Sequence, residues 1–145
     1  MIPFKEQVTP EQYDNAKKHW NALIEEKLPG NFEMSVFDNL DSPNDEYTCN
    51  TIACSAGWLP FTLNIDKSIL PIINGEIDYN VITSKYLGLS YFKYEEQWRF
   101  CFSLDWGIFD NTAKGAGKRM QYLYEVGLPS NWMDIMDGKD DYPWT

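Results

Sequence analysis

Cys54 is the residue in this sequence whose surroundings best fit nucleophilic chemistry. It lies five residues after Cys49, in a run of small residues that we predict to be a helix from about Thr51 to Leu59. The positive end of a helix dipole stabilises a thiolate, so a cysteine in the first helical turn is a candidate nucleophile. The alternative is a cysteine buried among alanines, since free cysteines are among the most frequently buried residues.

A thiol nucleophile usually needs a neighbouring base, and His19 is the single histidine of the chain. His19 lies beside Trp20 near the edge of the apolar stripe of the first predicted helix, so we expect it at a boundary or on the surface. One histidine and three scattered cysteines, with no Cys-x-x-Cys pair, do not form a zinc-binding pattern. We therefore expect no metal and no cofactor, and Cys54 remains the one catalytic candidate.

Acidic residues dominate the charge of the chain. There are 22 Asp and Glu against 12 Lys and Arg, and the formal net charge is −10. Such a chain repels phosphate backbones and anionic lipids, so we predict that it binds neither nucleic acid nor membranes. A partner with a basic surface fits this charge better. The acidic loop before Cys49 contributes four candidate partner-binding residues: Asp38, Asp41, Asp45 and Glu46.

The C-terminal segment alternates large apolar residues with acids. Trp132 and Met136 stand beside Asp134 and Asp137. One interpretation is that the apolar residues pack back on the domain. The other is a partner-binding surface formed by all four residues, because Trp and Met are enriched at protein interfaces. An acidic surface with aromatic anchors would suit a protein that binds or inhibits a basic one.

The patterning predicts a mainly α fold, in which about five helices form a compact bundle within a single domain covering residues 1–145. Thr9, Pro10 and Gln12 form a capping-box pattern for the first helix, which ends before Pro29. Asn74 and Gly75 indicate either a short β-hairpin or an irregular connector. The tail from about residue 137 is expected to fray. The other predicted helices cover about 51–59, 80–87, 94–102 and 112–127, with a further turn at 130–136.

The helix predicted over residues 112–127 contains two glycines within the stretch Gly115-Ala-Gly117-Lys118-Arg119. The stretch resembles a phosphate-binding loop only superficially. A Walker motif needs a glycine where Thr112 stands and a serine or threonine where Arg119 stands. We therefore interpret the stretch as part of a helix whose glycines allow close packing or flexing.

Residues 32–34 read Phe-Glu-Met, and residues 49–58 read Cys-Asn-Thr-Ile-Ala-Cys-Ser-Ala-Gly-Trp. These two segments resemble a family of small uncharacterised proteins encoded by bacteria and phages. The family pattern is Phe-Asp-Met followed by Cys-Gly-Thr-x-Ala-Cys-x-x-Gly-His or Gly-Trp. A Leu-Gly-Leu motif at 87–89 and an aromatic segment at 97–106 are also similar, and the likeness covers about residues 20–127.

This chain departs from that pattern at Glu33, at Asn50 and, relative to the members with histidine, at Trp58. A metal-binding or acid–base role at position 58 does not transfer to tryptophan. The resemblance implies a helical fold and a bacterial or phage origin, and it implies no activity.

Three further features predict the compartment. The N-terminal residues lack the basic region and apolar run of a signal peptide, and no apolar stretch approaches 18 residues. Three cysteines in such a chain indicate free thiols in a reducing compartment. We therefore expect a cytoplasmic protein, in the host cytoplasm if it is phage-encoded. The expected function is non-enzymatic binding of a host protein, and the alternatives are a thiol-dependent enzyme using Cys54 or a protein that binds a small ligand.

Overall fold

Helices make up most of the regular structure in the computed structural model, which describes residues 1–144. The prediction of a compact, mainly α fold is confirmed. None of the helices in these residues has the length and apolar character that a membrane span needs. The α-helices are α1 (Pro10–Ile24), α2 (Leu59–Thr62), α3 (Tyr79–Leu87), α4 (Glu95–Phe102), α5 (Trp106–Phe109), α6 (Ala113–Glu125) and α7 (Trp132–Met136), and short 3-10 turns cover Phe4–Gln7 and Lys67–Ile69.

The ends of the long helices follow local sequence signals. At the start of α1, the Thr9 hydroxyl accepts from the Gln12 N–H at 3.1 Å, and the Gln12 side chain accepts from the Thr9 N–H at 3.0 Å. This reciprocal capping box was predicted. The Thr112 hydroxyl caps α6 by accepting from the Gly115 N–H at 3.0 Å, and Gly88 ends α3 with a φ of +73°. A left-handed residue at this position is a common helix stop.

Helices α1 and α6 pack against each other at the centre of the molecule. Their close approach depends on Gly117, where a Cβ atom would lie 2.8 Å from the backbone oxygen of Trp20. The prediction that the glycines of α6 allow close packing is therefore confirmed at this position. One hydrophobic core cluster surrounds this contact and includes residues from Phe4 to Trp144.

Two short strand pairs accompany the helices in the described residues. β1 (Asn31–Phe32) pairs in parallel with β2 (Ile52–Ala53). β3 (Ile72–Ile73) and β4 (Glu76–Ile77) form an antiparallel hairpin. Asn74 and Gly75 connect its strands with φ values of +52° and +78°, which is the geometry of a two-residue turn favoured by Asn-Gly. The hairpin is thus confirmed over the irregular connector.

The helix predicted for residues 51–59 is wrong. Residues 52–53 form β2, turns follow, and α2 begins only at Leu59. The backbone of this segment bonds to distant residues, since the Cys54 N–H donates to the Val36 oxygen at 2.9 Å. At Gly57, a Cβ atom would lie 1.6 Å from the backbone oxygen of Phe37. The small residues therefore admit a neighbouring loop and do not indicate a helix.

The tail does not fray along its whole length. Trp144 is buried, and its ring lies 5.6 Å from that of Phe100 and 6.2 Å from that of Trp106, measured between centroids. The expectation of a frayed tail from residue 137 therefore does not hold at Trp144. Residue 145 lies outside the described part of the chain.

Candidate functional site

Cys54 is a buried thiol and does not lie at a helix N-terminus. Its side chain is 3% exposed and follows β2. Burial raises the pKa of this thiol to about 11, although nearby backbone amides act in the opposite direction. At neutral pH the group is therefore protonated, which is a poor state for a nucleophile. The prediction of a helix-stabilised thiolate is wrong, and the alternative of a buried cysteine is confirmed.

His19 is fully buried, so the expectation of a boundary or surface position is wrong. Its Nδ1 atom lies 2.6 Å from the Thr62 hydroxyl, and its Nε2 atom lies 3.2 Å from the Ser55 hydroxyl. Burial lowers the pKa of the imidazole to about 3. A serine and a histidine thus meet, but both are shielded from solvent. This arrangement ties α1 to α2 through Thr62 and to the preceding turn through Ser55.

We expect Cys54 to react slowly in the folded protein. Alkylation with iodoacetamide at about pH 8 should modify Cys54 at least about tenfold more slowly than Cys49, because Cys49 is exposed while burial disfavours the Cys54 thiolate. Mass spectrometry of proteolytic peptides measures both rates in one sample. Unfolding in guanidinium should bring the two rates together. Faster modification of Cys54 in the native state would contradict the buried assignment.

Asp45 and Glu46 of the predicted acidic loop bind other residues of the chain. The Asp45 carboxylate accepts from the backbone N–H groups of Asp41 and Ser42, each at 3.1 Å. Glu46 forms an ion pair with Lys67 at 3.0 Å, although its side chain is largely exposed. These contacts hold the loop in its observed conformation, and both hydrogen bonds to Asp45 are accepted by its Oδ2 atom.

The other two acidic-loop residues border a pocket. Asp38 accepts a hydrogen bond from the Tyr79 hydroxyl and another from the Leu40 N–H at 3.0 Å. Burial is the main cause that holds the pKa of Tyr79 far above its usual value, and nearby Tyr47 and Asp38 add to the effect. The Tyr79 hydroxyl therefore remains a donor. Asp41 is exposed, and its carboxylate has no hydrogen-bond or ion-pair partner among residues 1–144.

The C-terminal candidates separate into buried and exposed residues. Trp132 is 2% exposed and Met136 is 6% exposed, so the prediction that they form a binding surface is corrected. The Trp132 indole donates to Glu96 at 3.3 Å, which fixes it within the fold. Asp134 and Asp137 remain on the surface. Trp132, Ile135 and Met136 thus pack in the core, as the first interpretation of the segment had it, whereas Met133 is 49% exposed.

An open groove lined mainly by apolar side chains lies between the loop after β1 and helix α4. We call it the apolar groove, and its volume is about 360 Å³. Three of its lining residues, Phe37, Tyr91 and Leu104, expose between 37% and 62% of their area. The Cys54 side chain also borders it, and Arg99 is its one basic residue. Six residues form most of its apolar wall: Val36, Phe37, Tyr91, Trp98, Phe102 and Leu104.

A second pocket shares Phe37 with the apolar groove. We call it the acidic pocket, and its volume is about 170 Å³. Asp38, Asp41 and Glu76 line it together with Tyr79, and no Lys or Arg of the described residues does so. The Phe37 ring stacks on Tyr79 with centroids 5.1 Å apart and an interplanar angle of 10°. The Phe37 side chain therefore forms a ridge, held in place by Tyr79, that separates the apolar groove from the acidic pocket.

The apolar surface continues on the other side of the groove. Tyr91 also lines a third pocket, of about 520 Å³, with Ile73, Val81 and Phe92. Phe92 is 94% exposed. This surface is not among the sites predicted from the sequence, although the sequence contains a signal for it. Phe37 and Phe92 lie outside every predicted helix, so no helical stripe accounts for them.

Among residues 1–144, no group of three or more His, Cys, Asp or Glu side chains is arranged to hold a metal ion. The site is therefore described by its shape and charge, namely an apolar groove beside an acidic pocket. A comparison of the chain with protein-family models, with curated proteins and with solved structures found no match.

Proposed function

We propose that this chain is a non-enzymatic binding protein whose partner presents a basic surface. The observation that carries the proposal is the exposed apolar surface around Phe37, Tyr91, Phe92 and Leu104, bordered by the acidic pocket. Contiguous exposed apolar surface rimmed by polar groups is typical of protein interaction sites. In the setting that the family resemblance implies, the partner is a host protein that is bound or inhibited.

Two observations favour binding over thiol chemistry at the same surface. The Cys54 thiol has a raised pKa, and the only histidine lies in the core with a lowered one. The thiol is protonated at neutral pH, and the weakly basic imidazole contacts the Ser55 and Thr62 hydroxyls and does not activate Cys54. A groove with a buried thiol in its wall still offers apolar contact area to a ligand.

The charge of the chain supports a basic partner. With a formal net charge of −10, the protein attracts cationic surfaces over long range and accelerates their association. Such attraction weakens with salt, because the screening length falls from about 10 Å at 0.1 M to about 3 Å at 1 M. Salt sensitivity is therefore an expected property of the complex.

The test compares capture by the immobilised full chain with capture by two double variants, in lysate of the kind of bacterial host that the proposal implies. The groove variant combines Leu104→Ser with Asp41→Asn. The control variant combines Met133→Ser with Asp134→Asn, which alters an exposed apolar residue and an exposed acid outside the groove. Quantitative mass spectrometry identifies the captured proteins at about 0.05 M and about 0.5 M salt.

The expected result is a protein with a basic surface that the wild type and the control variant retain at low salt. The groove variant should lose at least about 80% of it, since a few central residues dominate an interface, and high salt should release it from all forms. Capture that the groove variant leaves unchanged, or no specific capture even at low salt, would overturn the proposal.

A further inference from the structure

We infer that the apolar groove and the acidic pocket together recognise a two-part feature of the partner, namely a large apolar side chain next to a lysine or arginine. The inference rests on the proposed function and names the ligand chemistry of its surface. The apolar side chain would enter the groove and the cation would reach the acidic pocket. Phe37 lines both the apolar groove and the acidic pocket, so the two parts of the ligand would bind next to each other at this residue.

The groove has the size and lining for one large apolar side chain. Its volume of about 360 Å³ is near the lower end of ligand pockets. Met34 and Phe102 are buried side chains at its wall, and Trp98 presents its ring there. The Trp98 indole already donates to the Thr83 hydroxyl at 3.1 Å, so its one polar group is satisfied without a ligand. A ligand can therefore contact this surface without leaving a donor unpaired.

The ridge between the compartments is held in place before any ligand binds. The Phe37 ring stacks on Tyr79, and the Phe37 backbone lies against Gly57. The neighbouring Val36 oxygen accepts from the Cys54 N–H at 2.9 Å. A preorganised surface loses little conformational entropy on binding. The separation between the two subsites is thus set by the fold.

Charge complementarity identifies the second part of the ligand. Asp41 and Glu76 are exposed at the acidic pocket, and neither carboxylate has a hydrogen-bond or ion-pair partner among residues 1–144. Asp38 adds a third negative group there, while Asp105 lies at the groove. Arg99 is the one basic residue of the groove, and its guanidinium carbon Cζ lies over the Trp132 ring, 5.4 Å from the centroid. A lysine or arginine beside the apolar side chain is attracted to this rim, and an acid is repelled.

The test uses three synthetic probes with the ¹⁵N-labelled full chain. They are the N-acetylated amides of Trp-Arg, Trp-Glu and Ala-Arg, which separate the apolar part from the charge. The indole N–H resonance of Trp98 reports on the groove in the NMR spectrum, and that of buried Trp20 serves as the internal reference. Ligands of this size are expected to bind with a Kd on the order of 1 mM.

Trp-Arg is expected to shift the Trp98 resonance. It should bind at least about fivefold more tightly than either other probe, because Trp-Glu lacks the cation, Ala-Arg lacks the large apolar side chain, and each contact is of modest strength. The variant Asp41→Asn with Glu76→Gln should bring Trp-Arg and Trp-Glu to similar affinities. The control variant Asp134→Asn with Asp137→Asn should preserve the difference. Both variants exchange exposed acids for neutral residues of similar size.

Equal affinity of the wild type for Trp-Arg and Trp-Glu would overturn the inference, as would the absence of a Trp98 shift with Trp-Arg. These failures are distinguishable from failure of the proposed function. If lysate capture depends on the groove but the probes are not discriminated, the binding function stands and two-part recognition is wrong. If the probes are discriminated but no partner is captured, the recognition chemistry stands and the proposed function is wrong.

Discussion

Replacing Gly57 with alanine is expected to reduce the free energy of unfolding by about 3 kcal/mol or more, because it overpacks a rigid contact. The new Cβ atom would lie 1.6 Å from the backbone oxygen of Phe37 and 2.8 Å from the Cβ of Ala53. A backbone oxygen cannot rotate away as a flexible side chain can, so the loop from Val36 to Asp38 must move. Urea denaturation followed by circular dichroism measures the change.

Gly107→Ala is the matched control. Gly107 lies in α5, and the nearest atoms to its added Cβ would be 3.7 Å away, at ordinary contact distance. The alanine should change stability by less than about 1 kcal/mol, since it fits the space and favours helix. Equal losses for both variants would show that the contact with Phe37 is not the cause. The Gly57 variant should also bind the Trp-Arg probe more weakly, because Phe37 separates its two subsites.

Local signals in the sequence were sufficient for most helix ends and for the hairpin. Thr9 and Thr112 cap their helices through side-chain contacts that span only three residues. Gly88 ends α3 because it adopts a left-handed conformation, and Asn74 with Gly75 turns the hairpin for the same reason. Interactions within a few residues of the chain decide these features, so a single sequence suffices to predict them.

Residues 51–58 show where local reasoning failed. Small residues fit a closely packed helix and a strand with tight turns equally well. Long-range backbone hydrogen bonds stabilise the strand over the helix, such as that from the Asn31 N–H to the Thr51 oxygen at 2.8 Å. The small residues correctly indicated that another element packs closely here. At Gly57 that element is the loop at Phe37. The loop at Phe37 lies 20 residues before Gly57, and no local signal in the sequence identifies it as the neighbour.

The candidate site was predicted only in its charge. Asp41 and Asp38 do border a pocket, whereas Asp45 is engaged in holding its own loop. The loop conformation decides which acidic residue is free to bind a partner. The number of acidic residues in the loop does not predict that conformation. The aromatic anchors were expected in the C-terminal segment, but Trp132 is buried and Phe37 is exposed. Tertiary packing decides which apolar residues reach the surface, because every one of them can fill a core.

The stability of the protein is expected to fall steeply between pH 6.5 and pH 4.5, and His19 is the cause. Burial lowers the pKa of His19 from 6.5 to about 3 in the folded state. Between these values the unfolded chain binds one more proton than the folded one, so stability rises with pH. The contribution is fully present above about pH 6.5 and is lost at about 1.4 kcal/mol per pH unit below it, or roughly 3 kcal/mol by pH 4.5.

His19→Gln separates this contribution from that of the carboxylates. The lowered pKa values of Glu33 and Glu125 act with the same sign, but mainly below their ordinary value of 4.5. In the window from pH 6.5 to 4.5, the glutamine variant should therefore lose roughly 3 kcal/mol less stability than the wild type, in urea denaturation at each pH. Parallel losses in the two proteins would contradict the assignment.

A direct measurement does not depend on the variant folding well. The chain contains one histidine, so its imidazole resonances in the NMR spectrum belong to His19 without ambiguity. They should not titrate between pH 7 and pH 4.5 while the protein remains folded, because a neutral ring between Ser55 and Thr62 has no access to solvent. A midpoint near the ordinary value of about 6.5 would place the ring in water. Acid sensitivity would then have to come from carboxylates, and the contact between α1 and α2 would be looser than the two hydrogen bonds imply.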